Sequence, residues 1–182
     1  MAAEKSESYE EQVAKMLCEL GIPATYGQKS GLRIFKEAAE LVPVGVDIYG
    51  REQRLIPHAA AAWAALKLSA EQDGIPLLLV SAFRSFAYQR QIIERKLVAG
   101  ISLEQILRVN AAPGYSEHHT GRAVDVTAPN CQPLTEAFEH SSTFDWLGNR
   151  AKDFGFTMTY PRNNQLGVVY EPWHWVLEEI AI

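Results

Sequence analysis

Cysteine is scarce: Cys18 and Cys131 are the two in 182 residues. That is too few for a disulfide-built scaffold, and neither lies in a Cys-x-x-Cys pair, so both read as ordinary thiols, with a single bridge between them as the alternative. No apolar run approaches the roughly 18 to 20 residues needed to cross a bilayer, so no membrane span is expected. Basic charge is not in excess, since 17 Lys and Arg stand against 22 Asp and Glu. The net charge of −5 argues against nucleic acid as a partner, because such binders usually show a basic face. Repeats and low-complexity tracts are missing too. The opening residues, 1 to 8, are polar, read as frayed and do not resemble a secretory signal. The expectation is a cytoplasmic protein as written, or a periplasmic or cell-envelope one if this is the mature part of a longer chain.

What is present suits one globular unit, with the monomer as default. Hydrophobic residues make up 47% of the chain, enough at this length for a sizeable core. Ser8 and Glu11 form a capping-box pattern ahead of Val13, Met16, Leu17 and Leu20, and Gly21 with Pro23 closes that helix. Residues 24 to 56 are harder to read; Leu32, Ile34, Val42, Val44, Val46 and Ile48 suggest short extended segments. Pro57 opens a second helix carrying Trp63, Leu66 and Ala70, ending near Gly74. Pro76 to Ser81 reads as a buried strand, and Phe86 to Val98 as a helix. Ser102 and Gln105 mark a short capped helix. Residues 123 to 127 alternate, with Val124 and Val126 on one face and Asp125 on the other. Residues 144 to 154 read as an amphipathic helix closed by Gly155, and 156 to 160 and 168 to 177 as the last strands. Strands and helices do not alternate regularly, so the expected class is α+β, a small, mostly antiparallel sheet with helices packed on one face. The division expected is a 1–43 extension followed by a 44–182 domain, together one compact unit.

Three stretches carry chemistry. His118 and Asp125, with Gly121 between them to turn the chain, can converge on a divalent ion, and imidazole favours zinc. Spacing alone does not choose between His118 and His119. A plainer reading makes His118 a polar loop residue and Asp125 a carboxylate paired with an arginine. In Glu171-Pro172-Trp173-His174, residues three apart on a strand face opposite ways, so a shared site requires a bend at Pro172. His174 could then be a ligand, and Glu171 a base for the attacking water. Arg84 leaves the strand ending at Ser81, placed to line a cleft and meet a carboxylate or an oxyanion; a surface ion pair is the simpler alternative. His58 reads as a helix-start residue and His140 as exposed.

Taken in order, Ser81-x-x-Arg84-Ser85-x-x-x-Gln89, Ser116-x-His118-x-x-Gly121-x-Ala123-x-Asp125 and Glu171-x-Trp173-His174 resemble the VanY-type zinc carboxypeptidases. That group is related to D-Ala-D-Ala dipeptidases and, more distantly, to the hedgehog signalling domain. The likeness runs from about Val44 to Leu177. It implies the fold of that group and one zinc ion on His118, Asp125 and His174, with His119 outside the set. It implies Glu171 as base and then acid, Arg84 on the scissile carbonyl, and substrate contacts at Arg84, Ser116 and Gln89. The implied activity is removal of a terminal D-alanine from peptidoglycan stem peptides. L,D-carboxypeptidase, endopeptidase or dipeptidase activities share such a site, and a non-catalytic zinc-binding domain is the rival of another class.

Overall fold

The computed structural model describes residues 7–28 and 31–179; the N-terminal residues before Glu7, expected from sequence to be frayed, lie outside them. Helices and strands come in the order α1 (Tyr9–Glu19), β1 (Val42–Val46), β2 (Glu52–Leu55), α2 (Pro57–Gln72), β3 (Leu78–Ser81), α3 (Phe86–Val98), α4 (Leu103–Val109), β4 (Ala123–Thr127), α5 (Ser142–Arg150), β5 (Phe156–Met158) and β6 (His174–Leu177). Strands β1 and β2 pair by themselves, and the other four form an antiparallel sheet in the order β3-β4-β6-β5. The class is α+β, as expected.

Local signals explain the helix ends. Ser8 and Glu11 close a reciprocal capping box on α1, and Ser102 and Gln105 do so on α4. Pro57 takes the first turn of α2, where its missing N–H costs nothing. The Ser85 hydroxyl accepts from the Tyr88 amide and starts α3.

Burial follows helical spacing. Ala59, Trp63, Leu66 and Ala70 make one stripe on α2, which packs with Leu147 of α5 against Leu79, Val124, Val126, Trp175 and Leu177 of the sheet. A second core joins Val13, Leu17 and Leu20 of α1 to Ile93 of α3, Ile106 of α4 and Tyr115. The four-stranded sheet therefore has one apolar face under α2 and α5. Its other face carries the alternate residues Asp125 and His174.

Some elements differ from the sequence reading. The strand read over 168–177 exists only as His174–Leu177, because Pro172 lacks an amide hydrogen and residues 171–174 turn instead. The 76–81 strand is regular only from Leu78, and that residue is 36% exposed rather than core. Helix 144–154 is α5 followed by a 3-10 turn, Ala151–Phe154, and Gly155 stops it in the left-handed region at φ 81°. The 156–160 strand stops at Met158. Leu32 and Ile34 belong to no strand.

A bulge shifts the edge of the four-stranded sheet. Leu79 pairs with Val126, yet Ser81 pairs with Asp125, so two β3 residues oppose one β4 residue. The slip moves the exit of β3 onto the polar face. Across the sheet, Ser81, Asp125 and His174 then lie in one row. A 3-10 turn, Glu117–Thr120, delivers the chain into β4 through Gly121 at φ 65°. A Cβ on Gly121 would stand 3.0 Å from the side chains of both Ile56 and Leu41. Gly121→Ala is therefore expected to destabilise the fold by about 1–3 kcal/mol, from left-handed strain and the clash together. Denaturant unfolding measures this; an unchanged midpoint would contradict the tight fit.

Candidate active site

Asp125, at the middle of the polar row, is 3% exposed. Its Oδ2 lies 3.2 Å from His118 Nε2 and 3.2 Å from Arg84 Nη2, and its Oδ1 lies 2.9 Å from His174 Nδ1. Although burial alone would raise its pKa, His118, His174 and Arg84 together hold it well below the ordinary carboxylate range.

His118 is buried, and its Nδ1 hydrogen points to the Ala82 carbonyl at the end of the bulged strand. A carbonyl can only accept, so Nδ1 carries the proton and Nε2 presents its lone pair. Burial, then the Arg84 charge, lowers the His118 pKa to about 4, so the ring is neutral. Its Nε2 is buried without a hydrogen-bond partner. One donor atom from each of His118, Asp125 and His174 lies within 4.8 Å of the others. An orphaned imidazole lone pair facing a carboxylate and a second imidazole suits zinc, with one position left open in the usual tetrahedral set.

The neighbouring His119 has no free nitrogen. Its Nδ1 meets the Arg84 carbonyl at 2.6 Å, and its Nε2 accepts from the Gly114 amide at 3.1 Å. It staples the β3 exit to the loop before the 3-10 turn. Of the two histidines that spacing left open, hydrogen bonds occupy both ring nitrogens of His119 and leave Nε2 of His118 without a partner.

His174 follows the turn that the sequence required. Its amide donates to the Glu171 carbonyl at 3.1 Å, closing residues 171–174, and the Trp175 indole donates to the Pro172 carbonyl at 3.0 Å. Glu171 thereby sits beside β6 rather than in it and lines the same cavity. Burial raises the Glu171 pKa to about 7; the charges of Asp125 and Glu117 add to this, while His174 and Arg84 oppose it.

Arg84 is mostly buried, with its Nη1 3.5 Å from Gln89 Oε1. Fully buried Gln89 uses its amide nitrogen on the Ala111 carbonyl at 2.7 Å. Arg84, Gln89, Ser116, His118, Asp125, Glu171 and His174 all line one cavity of about 300 Å³. Outside it, His58 sits at the start of α2 and His140 is exposed, while Cys18 and Cys131 are free thiols. Among the described residues, no helix is long and apolar enough to cross a membrane.

Sequence reasoning missed Glu117. Its Oε2 lies 2.9 Å from His174 Nε2, on the ring edge away from Asp125. Thr159 and Tyr160 hydrogen-bond its carboxylate, and Tyr160 stacks on His174 with ring centres 5.0 Å apart. A carboxylate on the far nitrogen fixes a histidine's tautomer and orientation for a metal. A signal was available: Glu117 touches the motif histidine in sequence, but nothing linear connects it to His174, 57 residues on.

The comparisons with known proteins agree with this class of site. The model of the D-alanyl-D-alanine carboxypeptidase family, VanY, matches residues 52–178, and the chain belongs to that family of zinc-dependent peptidases. It is 34% identical over 123 residues to the Bacillus subtilis (strain 168) protein YodJ, covering 64% of this chain and 44% of YodJ. The chain thus spans less than half the length of that relative. The structure of the LD-carboxypeptidase LdcB superposes with a TM-score of 0.67 at 30% identity, over 78% of this chain and 69% of LdcB. The vancomycin-resistance D,D-pentapeptidase VanY, solved with Zn(II), gives a TM-score of 0.59 at 25% identity, over 77% of this chain and 79% of that one.

Two expectations concern the metal. Replacing Glu117 by Leu should weaken zinc binding about 10- to 100-fold, and Glu117→Gln less, because an amide oxygen still accepts from the ring. Competition against a chromophoric chelator tests this, and equal affinity in all three proteins would refute the orienting role. The second concerns pH. Burial disfavours the His174 charge, but hydrogen bonds to Asp125 and Glu117 outweigh it and raise the metal-free pKa to about 10. A raised pKa means a bound proton that zinc must displace below that pH. Apparent zinc affinity should therefore climb about tenfold per unit between pH 7 and 9, and a flat profile would contradict it.

Proposed function

We propose that this chain is a zinc carboxypeptidase that releases the terminal D-alanine of peptidoglycan stem peptides or their precursors. The observation that carries the reading is the convergence of Glu171 and Arg84 on the cavity that holds the His118, Asp125 and His174 donors.

In this proposal His118, Asp125 and His174 hold the ion, which when bound supplies a Lewis acid and acidifies water. Glu171 accepts a proton from the attacking water. Burial holds the Glu171 carboxyl above the ordinary carboxylate range before the ion's charge is added, which favours taking that proton and later returning it. Arg84 directs its guanidinium to the scissile carbonyl and stabilises the charge that develops on its oxygen. Gln89 and Asp125 keep that guanidinium aimed, since each lies beside one of its terminal nitrogens. Glu171 then protonates the departing amine. Ser116, on the cavity wall, is a substrate contact in this scheme, and Gln89 contributes to the same wall.

An L,D-carboxypeptidase acting on tetrapeptide stems is the second reading. It is favoured by the higher TM-score and identity to LdcB than to VanY. Both readings share the same working residues and differ in the stereochemistry of the bond cut.

One experiment tests the roles and the specificity. Zinc-loaded protein is incubated with pentapeptide and tetrapeptide stems, with and without chelator, and products are weighed by mass spectrometry. The D,D reading expects loss of one alanine from the pentapeptide, abolished by chelator; trimming of the tetrapeptide instead would establish the L,D reading. Glu171→Ala should lower turnover about 10²- to 10⁴-fold with the zinc content unchanged. No cleavage of either stem by zinc-loaded protein would overturn the carboxypeptidase proposal. Loss of zinc from the Glu171 variant would overturn its role as base.

A further inference from the structure

One cation on the cavity wall has no part in the peptidase chemistry. Lys96 lies seven residues beyond Gln89 on α3, two helical turns along the same face, and both side chains line the cavity. Asn110, which ends α4, lines it as well, and the Lys96 ammonium donates to Asn110 Oδ1. The Asn110 amide nitrogen donates to the Val109 carbonyl at 2.6 Å, which keeps the oxygen turned to Lys96.

Charge at this wall is unbalanced. Arg84 has Asp125 for a partner. Among the described residues Lys96 is in no ion pair, and its charged neighbour is Arg84, of the same sign. Burial, then the Arg84 charge, holds the Lys96 pKa below its ordinary value. The acids that line the same cavity, Glu117, Asp125 and Glu171, form no ion pair with Lys96 among the described residues, so its charge is open to an anion entering the cleft. The flanking residues Val109 and Ala111 offer no charge.

We infer that Lys96, braced by Asn110, is a specificity-determining residue that binds a free carboxylate of the peptide substrate. The inference rests on the peptidase reading of the site. The carboxylate can belong to the terminal residue, in which case Lys96 separates chain ends from internal bonds, or to an acidic side chain upstream of the cut. Both have the same chemistry, and amidation distinguishes them.

The test uses the zinc-loaded full chain, as wild type, Lys96→Met and Lys96→Arg. Three versions of one stem peptide are compared: the free acid, the C-terminal carboxamide, and a peptide with its upstream side-chain carboxylate amidated. Lys96→Met should raise KM for the free acid and lower kcat/KM roughly 10- to 100-fold with kcat little changed, and Lys96→Arg should recover part of the loss. The penalty should vanish for whichever amidated peptide lacks the recognised carboxylate. Equal losses on all three peptides, or none, would overturn the role of Lys96. If wild type cleaves nothing, the peptidase reading fails on its own. Lys96 is then judged by calorimetric titration of the same free-acid stem peptide and its two amidated versions. Weaker binding of the free acid to Lys96→Met, with no loss for one amidated version, supports the role, and identical binding of the free acid to wild type and Lys96→Met overturns it.

Discussion

A single buried carboxylate organises the site. Asp125 sits on one of the two inner strands of the sheet, 3% exposed, and a charge there is tolerated only when it is paired. Three groups face it: Arg84 and the His118 lone pair at one oxygen, and His174 at the other, with Arg84 and His174 satisfying the charge. Each comes from a different segment, so the need to pair one charge draws together the β3 exit, the 3-10 turn and the start of β6. In the metal-free protein the set is balanced by a proton held on His174, which is why that imidazole and the Asp125 carboxylate shift in opposite directions. Zinc and that proton are alternatives for one cluster of donors.

Around this charge the backbone provides the aim. The β3 bulge moves Ser81 into register with Asp125, and the Ala82 carbonyl then orients His118 while the Arg84 carbonyl orients His119. The Arg84 amide donates to the His118 carbonyl at 3.2 Å, so the two motifs grip each other along the main chain as well. On the opposite side the turn at Pro172 sets Glu171 off the sheet. Glu117 and Tyr160 hold His174 from behind. Candidate donors on strands and a short 3-10 turn have little freedom, which suits a site whose donors must keep ångström-level spacing. Glu171, by contrast, lies in a turn, where burial pushes its carboxyl towards neutrality.

Much of the scaffold was legible because its signals are local. The α1 and α4 capping boxes, Pro57, the stop at Gly155 and the Val124/Val126 alternation depend on neighbours a few residues away, and each appears as read. The overextended strand over 168–177 failed for a physical reason: apolar residues there face the cavity and the turn, so their hydrophobicity did not mean sheet pairing. Leu78 failed likewise, since an apolar run does not reveal which of its members lies at an edge strand's open face. Glu117 and Lys96 escaped notice because a lone Glu and a lone Lys are ordinary on a surface; what makes them unusual is burial and an absent or unexpected partner.

By itself the sequence determined the chemistry available here. It supplies two histidines, two acids and an arginine in three ordered motifs, with the bend at Pro172 demanded by the period of a strand. Those facts depend on residue type and short spacing, which the chain states directly. The tertiary structure decided which nitrogen of which histidine is free. It also decided which carboxylate lies among the three candidate donors, which is buried in the turn before β6 and which stands behind a ring, and where an ammonium without an ion-pair partner meets the cleft. Hydrogen bonds and burial between segments up to 57 residues apart settle these matters, and no linear pattern encodes a distance across a sheet.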